Sequence, residues 1–215
     1  MNTAHKIQDE WLVSHAAGAV SKARSLLIAS HVAYHDDLQE TLADAEAIGG
    51  ALLDSTADAD VSPVILDQVL SRLDEVAAAA QAATPARSGE IPEPLFDFLG
   101  CDLDDLKWRF MGPGMRNARL WNGPNDERLW LLRARGGVRV PEHGHNGDEW
   151  TLILKGSYQT EFGHFGVGDM EVADASVTHQ PLIDEDEECI CLVMSHGPLR
   201  MKSPFARLAQ PFIGL

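Results

Sequence analysis

The stretch Gly137-Val-Arg-Val-Pro-Glu-His143-Gly-His145-Asn-Gly-Asp-Glu149-Trp-Thr-Leu-Ile-Leu-Lys-Gly156 decides how the chain is read. His143 and His145 stand two apart, so on a β-strand both imidazoles point to one face. Asn146-Gly147 is a turn signal, after which Glu149 can bring a carboxylate back to the same point. A fourth ligand is needed to close such a site, and His179, within Ser176-Val-Thr-His179-Gln, lies at a later strand end. A lone strand histidine is usually a surface or hydrogen-bonded residue. Two histidines and a glutamate in this register, with a further histidine downstream, are much harder to explain that way. Three imidazoles and one carboxylate suit Zn, Fe, Mn, Ni or Cu by ligand softness. The sequence therefore predicts one divalent metal on His143, His145, Glu149 and His179, zinc first, with iron, manganese or nickel as alternatives. His164, beside Phe162 and Gly163, is the competing fourth ligand; His196 reads as a loop residue.

Around this stretch, short apolar runs alternate with Gly, Pro and Asn. They are Leu129-Trp-Leu-Leu132, Trp150-Thr-Leu-Ile-Leu154, Tyr158-Gln-Thr-Glu-Phe162 and Ile190-Cys-Leu-Val-Met194. This is the pattern of an antiparallel β domain with frequent turns. Cys189 and Cys191 flank Ile190 and share one face of a strand; buried thiols are expected, with a redox role as the alternative. The spacing Gly-x5-His-x-His-x3-Glu-x6-Gly is similar to the first signature motif of the cupin barrels. That resemblance implies a double-stranded β-helix whose lumen receives His143 and His145, with His179 on the opposite wall. Gly166-Val-Gly-Asp169 supplies the turn of the second motif, without its usual proline.

Toward the N-terminus the period changes to that of helices. Ile7, Trp11, Leu12 and Val13 begin a short amphipathic stretch ending near Gly18. Ser21 caps a second helix, Lys22 to about His35. Asp36 or Asp37 opens a third, with Leu38, Leu42, Ala45, Ile48 and Leu52 at helical spacing and Gly49-Gly50 weakening its end. Ser62-Pro63 starts a fourth, carrying Ile65, Leu66, Val69, Leu70, Leu73 and Val76. Thr84-Pro-Ala-Arg-Ser-Gly-Glu-Ile-Pro-Glu-Pro94 reads as a linker. The expected organisation is α + β in two domains: a helical bundle over 1–84, a Pro-rich linker over 85–94 and a β-barrel over 95–215.

Charge and composition narrow the function. Lys and Arg number 17 against 33 Asp and Glu, a formal net charge of −16. Such a surface argues against direct contact with DNA or RNA and favours a basic protein partner or simple solubility. No apolar run approaches a bilayer span, and residues 1–10 lack the apolar core of a signal peptide. The three cysteines, Cys101, Cys189 and Cys191, form no secreted disulfide pattern. A cytoplasmic protein is expected, with no membrane contact.

His31 and His35, four apart, share a helix face and could bite one metal; two ligands do not close a zinc site, and the bland reading is a pair of partly exposed residues near a helix C-terminus. Taken whole, the chain resembles the ChrR-type anti-sigma factors. The likeness runs through His15-Ala-Ala-Gly-Ala-Val20, Leu26-Leu-Ile-Ala-Ser-His31-Val-Ala33, Glu142-His-Gly-His-Asn-Gly-Asp-Glu149-Trp-Thr-Leu152 and Cys189-Ile-Cys-Leu192 to Gln210-Pro-Phe212. The resemblance implies a helical domain that binds an extracytoplasmic-function sigma factor, and a metal-binding cupin domain that responds to singlet oxygen or related oxidants. It places the barrel ligands on His143, His145, Glu149 and His179. The family's helical zinc motif, His-x3-Cys-x2-Cys completed by an upstream His, here reads His31-Val-Ala-Tyr-His35-Asp-Asp-Leu38, with His5 near the upstream position. Leu cannot ligate metal, so a second zinc on His5, His31 and His35 would require a rebuilt site. The competing expectations are a cupin dioxygenase or isomerase, its lumen lined by residues such as Trp130, Trp150 and Phe162, and a small-molecule-binding cupin whose helices dimerise.

Overall fold

Ser21, where the sequence predicts a cap, sits at the head of a helix in the computed structural model, which describes residues 5–81 and 89–202. Its Oγ accepts a hydrogen bond from Arg24 N at 3.2 Å, satisfying one of the free amides of a helix start. The helices are α1 (Asp9–Ala16), α2 (Lys22–Val32), α3 (Asp36–Asp54), α4 (Pro63–Gln81) and α5 (Glu93–Leu99). The second helix stops at Val32, three residues short of His35, because His35 is extended and begins α3. Gly49-Gly50 does not end α3, which runs through to Asp54. The short α5 was not legible; it starts inside the stretch read as linker, buries Leu95 and Phe96, and closes on Gly100 at φ 68, a left-handed position suited to glycine.

Among the described residues twelve strands follow: β1 (Arg109–Gly112), β2 (Met115–Asn122), β3 (Glu127–Ala134), β4 (His143–Gly144), β5 (Glu149–Lys155), β6 (Tyr158–Thr160), β7 (Gly163–Phe165), β8 (Met170–Ala173), β9 (Thr178–His179), β10 (Leu182–Ile183), β11 (Cys189–His196) and β12 (Arg200–Met201). One sheet has the order β1-β2-β3-β11-β5-β8; two smaller ones run β10-β6-β7 and β12-β4-β9. The named pairs are antiparallel. His196 is the last residue of β11 rather than a loop residue.

The central strands β5 and β11 of the large sheet are buried on both faces, which explains why they read as unbroken apolar runs. Along β11, Ile190, Leu192 and Met194 face the helices, in one core with Leu12, Leu27, Ile28 and Leu95. Cys189, Cys191 and Val193 face the barrel interior, with Trp130, Ile153 and Tyr158. The strand period of two thus splits one apolar run between two cores.

Polar contacts fasten the helices to the barrel. Arg24 lies over the rings of Trp11 and Trp150 at 5.1 and 5.3 Å and pairs with Asp148. Ser21 Oγ donates to Glu127 Oε1 at 2.5 Å. The N-terminal segment lies along β8: Met170 N donates to His5 O and His5 N to Asp169 Oδ1, both at 2.9 Å.

The far half of α3 and the described side chains of α4 behave differently. Ile48, Leu52, Leu53, Leu66 and Leu70 are each at least half exposed, and Ile65 and Val69 nearly so. Their helical periodicity reads as a core stripe, yet among the described residues nothing covers it. No helix of the described residues is long and apolar enough to cross a membrane.

Candidate metal centre

Strand pairing brings the histidines together. His143 on β4 lies directly opposite His179 on β9, and their Nε2 atoms are 3.1 Å apart. Glu149 opens β5 and reaches in: Oε1 is 3.8 Å from both of those Nε2 atoms, and Oε2 is 3.6 Å from His145 Nδ1. All four residues are buried, and one ligand atom from each lies within 4.8 Å of the others. A tetrahedral zinc site with bonds near 2.0–2.1 Å has ligand–ligand edges of roughly 3.3–3.4 Å. The observed separations bracket that edge.

Tautomers show what such a cluster needs. His143 Nδ1 is 2.8 Å from Pro141 O; a carbonyl only accepts, so Nδ1 carries the proton. His179 Nδ1 meets Glu171 Oε1 at 3.2 Å, and donation to a carboxylate protonates Nδ1 there too. Both Nε2 atoms are then lone pairs facing each other at 3.1 Å, an arrangement that calls for a cation between them. His145 is buried, yet among the described residues neither ring nitrogen has a hydrogen-bond partner. An orphaned buried imidazole is costly unless a ligand satisfies it. The donor set fits a divalent metal.

The electrostatics agree. Burial alone would lower the pKa of His143, but the hydrogen bond and charge of Glu149 outweigh it and hold His143 above its ordinary value. Burial dominates at His145 and pushes it down, against the pull of Glu149. Burial would raise Glu149; His143 and its neighbours overcome that and keep the carboxyl below the usual range. A second carboxylate, Glu171 on β8, was not foreseen. It takes a 2.6 Å hydrogen bond from Tyr158 OH on one oxygen and faces His179 with the other. Its position in an alternating strand one residue after Met170 was the only signal available.

The other expected residues lie elsewhere. His164 is half exposed and bonds Asp184 at 2.6 Å, away from the cluster. Of the aromatic residues expected in the lumen, Trp130 lines it. Trp150 points the opposite way, against Trp11, because it alternates with Glu149; Phe162 is exposed. Cys189 and Cys191 share an interior face with their sulfurs 3.5 Å apart, and the contact with Cys189, then burial, push the Cys191 thiol well up.

His5, His31 and His35 form no ligand group of the kind seen in the barrel among the described residues. His5 stacks on Phe165, ring centroids 4.2 Å apart. His31 is fully buried rather than partly exposed, its Nε2 accepting from Ile7 N at 3.4 Å. His35 Nε2 lies 2.9 Å from Gly168 O, so it donates across to the barrel. Leu38 is buried in the core, where the family motif has cysteine.

A helical unit docked on a cupin-type barrel with a buried His-His-Glu-His cluster is the class that fold and site define. Residues 98–200 match the family described as the ChrR cupin-like domain. The anti-sigma-E factor ChrR of Cereibacter sphaeroides is 38% identical over 99% of this chain and 99% of its own length. The crystal structure of Rhodobacter sphaeroides SigE in complex with the anti-sigma ChrR matches with a TM-score of 0.76 at 35% identity, covering 89% of this chain and 98% of that one. The chain belongs to the ChrR family.

Proposed function

We propose that this chain is a cytoplasmic anti-sigma factor that sequesters an extracytoplasmic-function sigma factor through its helices and responds to oxidative stress through its barrel. One observation carries the partner: the uncovered apolar face of α3 and α4, with Leu52, Leu53, Leu66 and Leu70 at least half exposed. Exposed apolar helix stripes of this kind mark protein contacts. Acidic residues flank it, including Asp54 and Asp67, and a basic partner complements that rim. The relative at 38% identity is named an anti-sigma-E factor and shares this chain's full length, which favours a regulator over a dioxygenase or isomerase.

Within this reading, residues 1–84 are the partner-binding domain, 85–94 the connection and 95–215 the sensing domain. Zinc is the metal proposed for His143, His145, Glu149 and His179, because three imidazoles and a carboxylate around a roughly tetrahedral point suit it. When bound it would supply a fixed charge that ties β4, β5 and β9 together. Glu171 orients His179 and fixes its tautomer. The helical domain needs no zinc: Leu38 packs where a ligand would stand, and His35 fastens the α2–α3 corner to the barrel.

Co-expression with a sigma factor of this class tests the proposal. A one-to-one complex surviving purification is expected. Recovery of the chain alone, or as a homodimer through α4, would contradict it.

A further inference from the structure

The cavity inside the barrel is small and rich in sulfur. Its volume is about 70 Å³, and its wall includes Met111, Met115, Met201 and Cys191 beside the metal cluster. Three of the chain's six methionines therefore line one space. Met170 and Met194 lie instead in the core between sheet and helices. A water needs roughly 10–15 Å³ of such volume, so the cavity admits a few small polar molecules and falls short of a typical ligand pocket of about 300 Å³ or more. Leucine would fill the same wall inertly. Thioethers add one chemistry, acceptance of an oxygen atom.

The position of Met201 gives that chemistry a consequence. On β12 it is the strand partner of His143 on β4, and His143 is in turn the partner of His179 on β9. These strands are two residues long, so few hydrogen bonds resist a disturbance.

We propose that Met111, Met115 and Met201 form an oxidant-reactive wall whose reactant is hydrogen peroxide or a short alkyl hydroperoxide. The inference rests on the barrel being the sensing unit. The thioether sulfur attacks one peroxide oxygen; the S–O bond forms as the O–O bond breaks. The other oxygen leaves with the proton as water or alcohol. Sulfur loses two electrons and the peroxide gains them, so no further reactant is needed. The product sulfoxide is polar and chiral, and its oxygen stands against a mostly apolar wall, which disfavours the native packing of these strands. At Met201 the strain falls on the β12–β4 pair and so on His143.

The test is peptide mass mapping of the zinc-loaded full chain during hydrogen peroxide treatment, with released zinc followed by a chromogenic chelator. An addition of about 16 Da per methionine should appear on Met111, Met115 and Met201 about tenfold faster than on Met170 and Met194, and zinc should leave in step. The variant Met111→Leu/Met115→Leu/Met201→Leu should keep its zinc under the same dose. Equal oxidation of all five methionines, or unchanged zinc release from the variant, would overturn the proposal. Should the variant not fold, the wild-type map still decides between the two. Sigma-factor binding is read separately, so a chain that shows the sulfoxide pattern but binds no sigma factor defeats only the anti-sigma reading.

Discussion

Trp150, the residue after Glu149, meets Trp11 of α1 edge to face with ring centroids 4.8 Å apart. Successive strand residues point to opposite faces, so the strand that turns Glu149 into the cluster turns Trp150 out onto the helices. Asp148, on the other side of Glu149, pairs with Arg24. The metal centre and the domain contact thus meet in three consecutive residues, Asp148, Glu149 and Trp150. A change at one can bias the other only if it favours one arrangement of that contact.

Arg24→Ala removes both the ion pair with Asp148 and the stacking on Trp11 and Trp150. The pair is partly exposed, so the loss should be modest, about 1 kcal/mol. Trp150→Ala empties a fully buried site and should cost about 3–5 kcal/mol. Chemical denaturation of both variants checks the ranking; equal effects would contradict the assigned packing.

Chelation should destabilise the barrel. If zinc is present at about one hundred times its dissociation constant, its removal lowers stability by about 2.7 kcal/mol. His145→Ala should abolish the metal dependence, since it removes one of the four ligand side chains. A melting temperature indifferent to both metal and chelator would refute the assignment.

Glu171→Leu should weaken metal binding by about 10–100-fold, because His179 loses the acceptor that fixes its tautomer. Glu171→Gln, which retains an acceptor, should restore most of it. Tyr158→Phe removes a 2.6 Å bond to the same carboxylate and should fall between them. Competition titration with a zinc indicator gives the order.

His31 supplies a pH prediction. Burial, then the neighbouring His35, lowers its pKa to about 4. The unfolded chain takes up this proton near pH 6.5, the fold only near 4. The associated stability is complete above about pH 6.5, falls as pH drops, and levels off below about 4, to a limit of about 3 kcal/mol. An NMR titration of the His31 ring should show a midpoint near 4; a midpoint near 6.5 would contradict the burial.

The sequence was most readable where one residue type answers one physical demand. The spacing from His143 to Glu149 announced the cluster, and Ser21 announced α2. The apolar runs announced strands, but not which face each side chain takes: Trp150 looked like a lumen residue because a strand buried on both sides carries no polar marker. Glu171 and Tyr158 escaped notice because a lone carboxylate and a lone phenol acquire meaning only through fold contacts. The stripe on α3 and α4 looked like core, since periodicity records an apolar face and not what covers it.

The most direct test of the account is calorimetric titration of the zinc-loaded chain with its sigma factor, alongside Leu66→Asp/Leu70→Asp. The account predicts one-to-one binding by the wild type, a loss of about 100-fold or more in the variant through charges placed in the apolar contact, and an unchanged barrel melting temperature. Equal binding by both chains, or none by the wild type, would contradict it.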